Sequence, residues 1–446
     1  MKLFRQTDKE IWSLALPIIL SNISVVLLGL VDTAVIGHLD SNMYLGGVAI
    51  GTMATSFLFM SLIFFRMSTT GLTVKAFAVL DNNALSRALV QPMLLAIATG
   101  IIIIIMREPL IKCILSIIGE HNDVLEQACI FMRIRLLGTP AALANLVILG
   151  WLLGVQYVRA PVILLVFSNI INIILNLWFV RGLYWQVVGT ASATTIADYI
   201  TFFLGIGFLF HAIKVRGLYW RFFHNAWYGN WYRLLSFNRD IMLRSVLLQL
   251  CPLSLTILGA RMGHTVVAVN AVLMNLLSCT SYVLDGLAYS VEVFSGQACS
   301  VRDILRIQNI WYAACRQAGI IAIFFSLFYA ICGRYIITIL TSLSDIQELA
   351  NYYLPWQIIL PFLGVWCYLL DGMFIGATRG GDMRNSMAIS VTGYGLTLLT
   401  LPWLGNNGLW LALAVFLSLR GLSLWIFWQY HWFHGTWFKK SDNHIY

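Results

Sequence analysis

Apolar runs of about 20 residues recur from one end of this chain to the other, and no other feature limits its possible folds so strongly. A helix of that length crosses the roughly 30 Å hydrocarbon core of a bilayer. Of the 446 residues, 60% are apolar and 11% are charged, which does not suit the surface of a soluble protein. We therefore predict an all-α polytopic membrane protein.

We predict twelve transmembrane helices, called spans here, joined by short polar segments. Their approximate bounds are 11–39, 44–75, 88–106, 126–157, 161–181, 185–213, 240–262, 264–297, 309–332, 346–378, 384–404 and 407–433. The first span imitates a signal peptide, but it is too long for one and contains Asp32, so we expect it to stay attached.

Basic residues in the joints indicate the orientation of the chain. Seventeen lie in joints on the amino-terminal side of the membrane, and the opposite joints carry only Arg107, Lys112, Arg181, Arg261 and Arg334. By the positive-inside rule both termini are cytoplasmic. Because these residues form no single patch, the net charge of +9 does not indicate a nucleic-acid partner.

Cysteine and histidine patterns give no sign of a metal centre or an enzyme. The eight cysteines include no CxxC pair and the eight histidines no HExxH motif. We also find no clustered Ser, His or Cys arrangement of the kind that nucleophilic catalysis needs. We therefore expect no metal, no cofactor beyond a coupling ion, and no enzymatic activity.

The two halves of the chain resemble each other at a shift of 222 residues. Gly150 and Gly154 fall on Gly372 and Gly376, and Gly189 matches Gly408 at a shift of 219, as if three residues were lost. We predict an N-lobe (1–213), a cytoplasmic segment (214–239) that either lies at the interface or is a plain linker, and a C-lobe (240–446). Six spans per half make the lobes parallel repeats about a pseudo-two-fold axis along the membrane normal, with a central cleft that suits alternating access.

Five acidic residues lie well inside predicted spans: Asp32, Asp198, Asp285, Glu292 and Asp371. An intramembrane carboxylate is costly unless it is protonated, paired or exposed to water, so each is a candidate functional residue. The alternative is a structural carboxylate bonded to a neighbouring helix. For Asp32 we favour function.

Polar residues on three predicted spans share helical faces with each other. Asn169, Asn172 and Asn176 in the fifth span form one stripe, which either joins helices or binds a cation. Thr194 and Asp198 are four residues apart in the sixth span. In the eighth, Asp285 and Glu292 are seven apart and form, with Asp371, a candidate second proton or substrate site, although Arg420 is an alternative structural partner.

The sequence resembles the multidrug and toxic compound extrusion (MATE) family, in its DinF branch of DNA-damage-inducible protein F type. The stretches that carry the resemblance are ALPIILSNISVVLLGLVDTAVIGHL, SYVLDGLAYSVEVFSGQA and WCYLLDGMFIGATRGGDMRNSM. It implies a proton- or sodium-coupled antiporter in a bacterial inner membrane, exporting amphipathic, often cationic compounds. It also implies a cation site of Asp32, Asn172, Asn176 and Thr194.

Asn176 departs from the family pattern, because better-known relatives have a carboxylate at that position. We hypothesise that Asp198 supplies the missing carboxylate. We favour proton over sodium coupling, since proton carriage needs one carboxylate only. Pro17 in the first span permits a kink, and in some relatives bending there is linked to protonation of the aspartate.

Two other functions remain open at this point. A flippase for lipid-linked precursors, from the wider superfamily, would need a cationic cavity for pyrophosphate, whereas the intramembrane arginines here are scattered. An intramembrane enzyme is disfavoured by the lack of a nucleophile constellation. For the exporter we expect small-molecule substrates, a lipid bilayer as surroundings, and a monomer.

Overall fold

A computed structural model of the chain describes residues 2–36, 42–118, 123–215, 226–229, 231–341 and 343–438. Every regular element in these ranges is a helix, which satisfies backbone hydrogen bonds without water. The predicted all-α fold class is confirmed. In the first helix the backbone is described to residue 36, but the side chains of residues 26–36, Asp32 among them, lie outside the described part.

The helices follow one another with short joints. In the first half they are α1 (Lys2–Ile36), α2 (Asn42–Ser61), α3 (Phe64–Ala78), α4 (Asn82–Ile105), α5 (Arg107–Ile118), α6 (Asp123–Arg135), α7 (Thr139–Gly154), α8 (Arg159–Leu177) and α9 (Gln186–Val215). A 3-10 turn, Leu136–Gly138, joins α6 to α7, and a π-helical turn, Trp178–Gly182, follows α8. In the second half they are α10 (Trp231–Met262), α11 (His264–Ser300), α12 (Ile304–Leu340), α13 (Ser344–Gly376), α14 (Gly380–Leu398), α15 (Leu401–Leu404) and α16 (Asn406–Phe433).

Ten helical segments are long and apolar enough to cross a membrane, judged by length and composition over the described residues. The first and eleventh predicted spans are not among them. The side chains in the second half of α1 are not described, and α14 starts with a polar run containing Asp382 and Arg384, which lowers its mean hydropathy. With α1 and α14 included, the described helices correspond to the twelve predicted spans.

The chain forms two compact units. The N-unit is Leu20–Tyr232, and the C-unit combines Met1–Ile19 with Arg233–Ile445. In the N-unit α6 packs on α2, α7 packs on α3 and α4, and α8 pairs with α9. In the C-unit α13 contacts α11, α12 and α16, and α14 pairs with α16. The lobe bounds stay predictions. Residues 2–19, which the sequence assigns to the N-lobe, pack with the C-unit.

The same turns occur in both units, 222 residues apart. Leu80 and Arg302 each lie two residues beyond the end of a helix, and each has a φ of 56°. Asp81 and Asp303 follow them, and each carboxylate accepts a hydrogen bond from a backbone N–H at the start of the next helix. A second pair of residues with positive φ shows the same spacing, Gln156 and Thr378.

Close helix contacts at glycines repeat in the same way. A Cβ on Gly150 would lie 2.6 Å from the carbonyl oxygen of Arg66, and one on Gly372 would lie 2.4 Å from that of Ala288. Positions 66 and 288 also differ by 222. One turn further on, a Cβ on Gly154 would lie 2.5 Å from Cβ of Thr73 on α3, and one on Gly376 would lie 2.4 Å from the carbonyl oxygen of Glu292 on α11. The predicted duplication is thus confirmed in the packing of each unit.

The predicted loss of three residues is found in the joint before the last helix of each unit. Gly189 packs against Phe179, and Gly408 packs against Leu401. Phe179 and Leu401 are 222 residues apart, but the two glycines are 219 apart. The shorter joint of the C-unit therefore lies between Leu401 and Gly408.

Candidate cation site of the N-unit

The helix α8 separates its polar and apolar residues by face. Asn169, Asn172 and Asn176 are at most 9% exposed, whereas Ile170 and Ile174 on the opposite face are at least 50% exposed. In a bilayer the isoleucine face suits lipid. The amide stripe predicted from the sequence therefore points into the N-unit.

Two of the three amides pair with threonines of α9. Asn172 Nδ2 donates to Thr194 Oγ1 over 3.3 Å, and Thr190 Oγ1 donates to Asn176 Oδ1 over 3.2 Å. Thr194 in turn donates to the carbonyl oxygen of Thr190. The structure thus brings together the predicted residues Asn172, Asn176 and Thr194. Thr190 was not predicted, although its spacing of four from Thr194 placed it on the same face.

The third amide contacts α1. Asn169 Nδ2 donates to Ser24 Oγ over 2.6 Å, which joins α8 to the N-unit part of α1. Asn169 therefore links two helices, one of the two roles left open for it. The side chain of Asp32, further along α1, lies outside the described residues.

The side-chain oxygen of Asn172 is a hydrogen-bond acceptor that no described residue uses. Its side chain is 5% exposed, and its Oδ1 has no hydrogen-bond partner among the described residues. A buried polar atom left in this state costs about 1–3 kcal/mol. Such a cost is acceptable where the oxygen serves a cation or a proton donor.

The C-unit has apolar side chains at most of the equivalent positions. The counterparts of the three asparagines on α14 are Val391, Tyr394 and Leu398, and those of Thr190, Thr194 and Asp198 on α16 are Leu409, Leu413 and Leu417. All except Leu409 belong to one apolar cluster, and Leu409 is fully buried. Apart from the Tyr394 hydroxyl, which lies 2.9 Å from Ser254 Oγ, the C-unit therefore packs these positions without the polar groups of the N-unit.

Asp198 has a different partner from the one we predicted. Its Oδ2 lies 2.8 Å from Nη1 of Arg135 on α6, and the guanidinium also lies over the ring of Phe59 at 4.4 Å. A carboxylate already balanced by a guanidinium is a poor second ligand for a cation. The geometry therefore gives no support to Asp198 as a substitute for the carboxylate missing at Asn176.

Asp371 in the C-unit lies between two arginines. Its Oδ2 accepts hydrogen bonds from Arg420 on α16, as the structural alternative predicted, and from Arg244 on α10. All three side chains are at most 8% exposed. Arg244 was not assigned as a partner. The sequence signal for this pair was Arg244 itself, since an arginine deep inside a predicted span needs a carboxylate partner.

The other acids of the predicted second site lie on α11. Asp285 is half-buried and close enough to Tyr368 for its charge to act on that phenol, and Arg420 lies 5.6 Å above the Tyr368 ring. Asp285 and Asp371 thus share one polar cluster. Glu292 is 1% exposed, where Gly376 brings α13 onto α11. Pro17 lies inside the continuous helix α1, and its kink stays a prediction.

Comparisons with known proteins agree with the duplicated fold. The family model described as MatE matches residues 17–178 and again residues 241–403. DNA damage-inducible protein F of Escherichia coli (strain K12) is 60% identical over 441 residues, covering 99% of this chain and 96% of that protein. A probable multidrug resistance protein NorM of Acinetobacter baylyi is 21% identical, covering 93% and 94%.

A solved structure shares the architecture. An outward-facing multidrug resistance MATE family transporter of the MOP superfamily superposes with a TM-score of 0.85 at 18% identity, covering 97% of each chain. At that identity the likeness shows the fold alone.

Proposed function

The chain belongs to the MATE family, in its DinF branch, and on that premise we propose that it is a proton-coupled antiporter exporting amphipathic or cationic compounds. The name of one relative, Multidrug and toxin extrusion protein 2 of Mus musculus, supports export as the activity, and the 60% identical relative is bacterial, which supports an inner-membrane location. The positive-inside count supports cytoplasmic termini.

The observation that carries the coupling site is the available Oδ1 of Asn172. At the shift of 222, Asp32 corresponds to Ser254 and Asn172 corresponds to Tyr394. In the C-unit, Ser254 Oγ and Tyr394 OH are 2.9 Å apart. The repeat therefore supports Asp32 and Asn172 as partners, with a protonated Asp32 donating to Asn172 Oδ1.

Proton coupling is favoured over sodium by the charges of this site. Asn176 is neutral, and Asp198 is balanced by Arg135. Asp32 is then the remaining carboxylate of the predicted set. Hard cations prefer several oxygen ligands with anionic charge among them, whereas a proton needs one carboxylate.

A single carboxylate also explains why import of protons would drive export of cations. Asp32 is neutralised either by a proton or by a cationic substrate, and both cannot occupy it together. Protonation from the periplasm would release the substrate, and deprotonation toward the cytoplasm would restore the anion. Binding of a proton or of the substrate changes the relative free energies of the inward-open and outward-open states. The change is set by the difference in that ligand's affinity for the two states.

Proton-coupled export can be tested with purified protein in proteoliposomes, using a fluorescent cationic dye and imposed pH or sodium gradients. A pH gradient should drive export in the wild type, and Asp32→Asn should reduce it roughly 5- to 150-fold, the usual range of a coupling free energy. The matched control is Ser254→Ala, at the counterpart position, which should keep wild-type export. Export driven by sodium alone would reverse the choice of ion.

The lipid-linked precursor flippase remains the alternative. It needs free cationic side chains for pyrophosphate, whereas Arg244 and Arg420 share Asp371 and Arg135 pairs with Asp198. These pairs remove three of the scattered intramembrane arginines from such a role. Translocation of a lipid-linked pyrophosphate, without dye export under any gradient, would favour the flippase.

A further inference from the structure

Residues 2–19 pack with the C-unit, although α1 continues into the N-unit. Ile11, Leu14, Ala15 and Ile18 are at most 3% exposed and recur at spacings of three and four residues. They form a complete apolar stripe along one helical face. We call residues 2–19 the α1 arm.

The α1 arm contacts α11 through a ridge of residues four apart. Ser290 Oγ donates to the carbonyl oxygen of Ile11 over 3.2 Å. One turn earlier in α11, a Cβ on Gly286 would lie 2.4 Å from Cγ1 of Ile19 and 3.4 Å from the carbonyl oxygen of Ala15. The contact therefore depends on the missing side chain of Gly286.

A polar clamp holds the other end of the α1 arm to α12. The carboxylate of Asp8 accepts hydrogen bonds from Gln317 Nε2 over 2.8 Å and from Arg316. Gln317 is 6% exposed, so its bond to Asp8 is largely shielded from water. A second pair from the same helices, Glu10 and Arg306, is longer at 3.6 Å and more exposed.

This docking is not a product of the internal repeat. The counterpart of residues 11–19 is residues 233–241 at the start of α10, and they pack with their own half of the chain. There Asp240 pairs with Arg384 of α14 over 2.8 Å, and Phe237 packs against Gly380. Residues 11–19 of α1 pack outside their own half whereas their counterparts do not, so the arm is a feature that the duplication alone does not produce.

We propose that the α1 arm is a permanent attachment to the C-unit, and that Asp8 and Gly286 are positioning residues through which titration of Asp32 acts on the C-unit. The proposal rests on the proposed function. The helix α1 is continuous from Lys2 to Ile36, and Asp32 lies 24 residues from Asp8, about 36 Å along its axis. Movement at one end of a helix is transmitted only if the other end is held.

The first experiment removes the clamp. Asp8→Asn should reduce export driven by a pH gradient roughly 5- to 150-fold. Dye affinity, and proton release on dye binding in detergent, should stay at wild-type values because Asp32 still titrates. A purely structural defect would weaken binding as well. Glu10→Gln is the matched control and should keep wild-type export, and Gly286→Val should behave like Asp8→Asn.

The second experiment asks whether the attachment is permanent. In the double variant Ile11→Cys and Ser290→Cys, the two thiols should form a disulfide on oxidation. The oxidised protein should still export dye. In the Asp8→Asn background the disulfide should restore export. Export by Asp8→Asn at the wild-type rate, or a loss of export on oxidation that reduction reverses, would overturn the proposal. The native cysteines are controlled by oxidising the parent protein in parallel.

These outcomes separate the α1 arm from the proposed function. If the wild type exports nothing under any gradient, the proposed function fails. The docked α1 arm is still tested by cross-linking yield, which should be high for Ile11 with Ser290. It should be low for Ile11 with Ser300, ten residues and about 15 Å further along α11. Equal yields would refute the docking itself.

Discussion

At the scale of single residues, the described part of the candidate site consists of neutral oxygen atoms, to which we propose that Asp32 adds the one carboxylate. Asn172 offers a buried carbonyl oxygen, and Asn176 accepts from Thr190. Replacing a carboxylate by an amide at position 176 keeps the shape and removes the charge. The identity of this one side chain is therefore expected to decide which ion drives transport.

We predict that Asn176→Asp allows a sodium gradient alone to drive export. The new carboxylate would add a hard anionic ligand beside Asn172 and Thr194. Sodium-driven dye export should rise roughly tenfold, equivalent to about 1.4 kcal/mol of binding free energy. The measurement is dye efflux from proteoliposomes at equal pH on both sides.

Asn169→Asp is the control for added charge, because Asn169 contacts Ser24 and not the threonines of α9. It should not create sodium-driven export. If Asn176→Asp is still driven by protons alone, the view that charge at position 176 selects the ion is wrong.

At the scale of helices, close contacts at glycine explain how neighbouring helices can pack without lipid between them. Gly150 brings α7 onto α3, and Gly372 brings α13 onto α11, each against a backbone carbonyl. Small residues at helix crossings are common in membranes because close approach maximises van der Waals contact. The two crossings are equivalent positions of the repeat, so they should respond alike to substitution.

We predict that Gly150→Ala and Gly372→Ala each destabilise the protein by about 1–3 kcal/mol, because the added methyl group has no room. Thermal unfolding in detergent would measure this as a lower melting temperature. Gly207→Ala in α9 is the control, since nothing lies within 4 Å of its added Cβ. It should be neutral or stabilising by roughly 0.5–1 kcal/mol. Equal effects at all three positions would contradict the packing argument.

At the scale of the whole molecule, one helical pattern is used twice and adapted differently. The N-unit has a polar site between α8 and α9, where the C-unit has an apolar core. The C-unit instead buries the group of Arg244, Asp371 and Arg420. Duplication therefore supplied the packing, and later substitution gave each unit its own buried polar groups.

We predict that both termini are cytoplasmic, as the distribution of basic residues in the joints implies. An alkaline phosphatase fused after Gly263 should be active, because that joint is periplasmic. The same enzyme fused after Val215 should be inactive, and a fluorescent protein should show the reverse pattern. Phosphatase activity at Val215 would invert the proposed orientation.

The fold class, the helical segments and the repeat could be predicted from the amino-acid sequence, since these follow from hydropathy and from glycine spacing. The sequence also identified the face shared by Asn169, Asn172 and Asn176, because helical periodicity alone sets which side chains share a face. These features are local or nearly so, and twelve apolar runs leave few alternative structures in a bilayer.

The pairing of the polar groups could not be predicted from the sequence and is seen in the packing of the helices. Asp198 lies with Arg135 rather than free beside Asn176, and Asp371 takes Arg244 as well as Arg420. Periodicity places each side chain on its own helix but does not say which neighbouring helix it faces. The docking of the α1 arm on α11 is of the same kind, because it depends on a contact between residues nearly 280 positions apart.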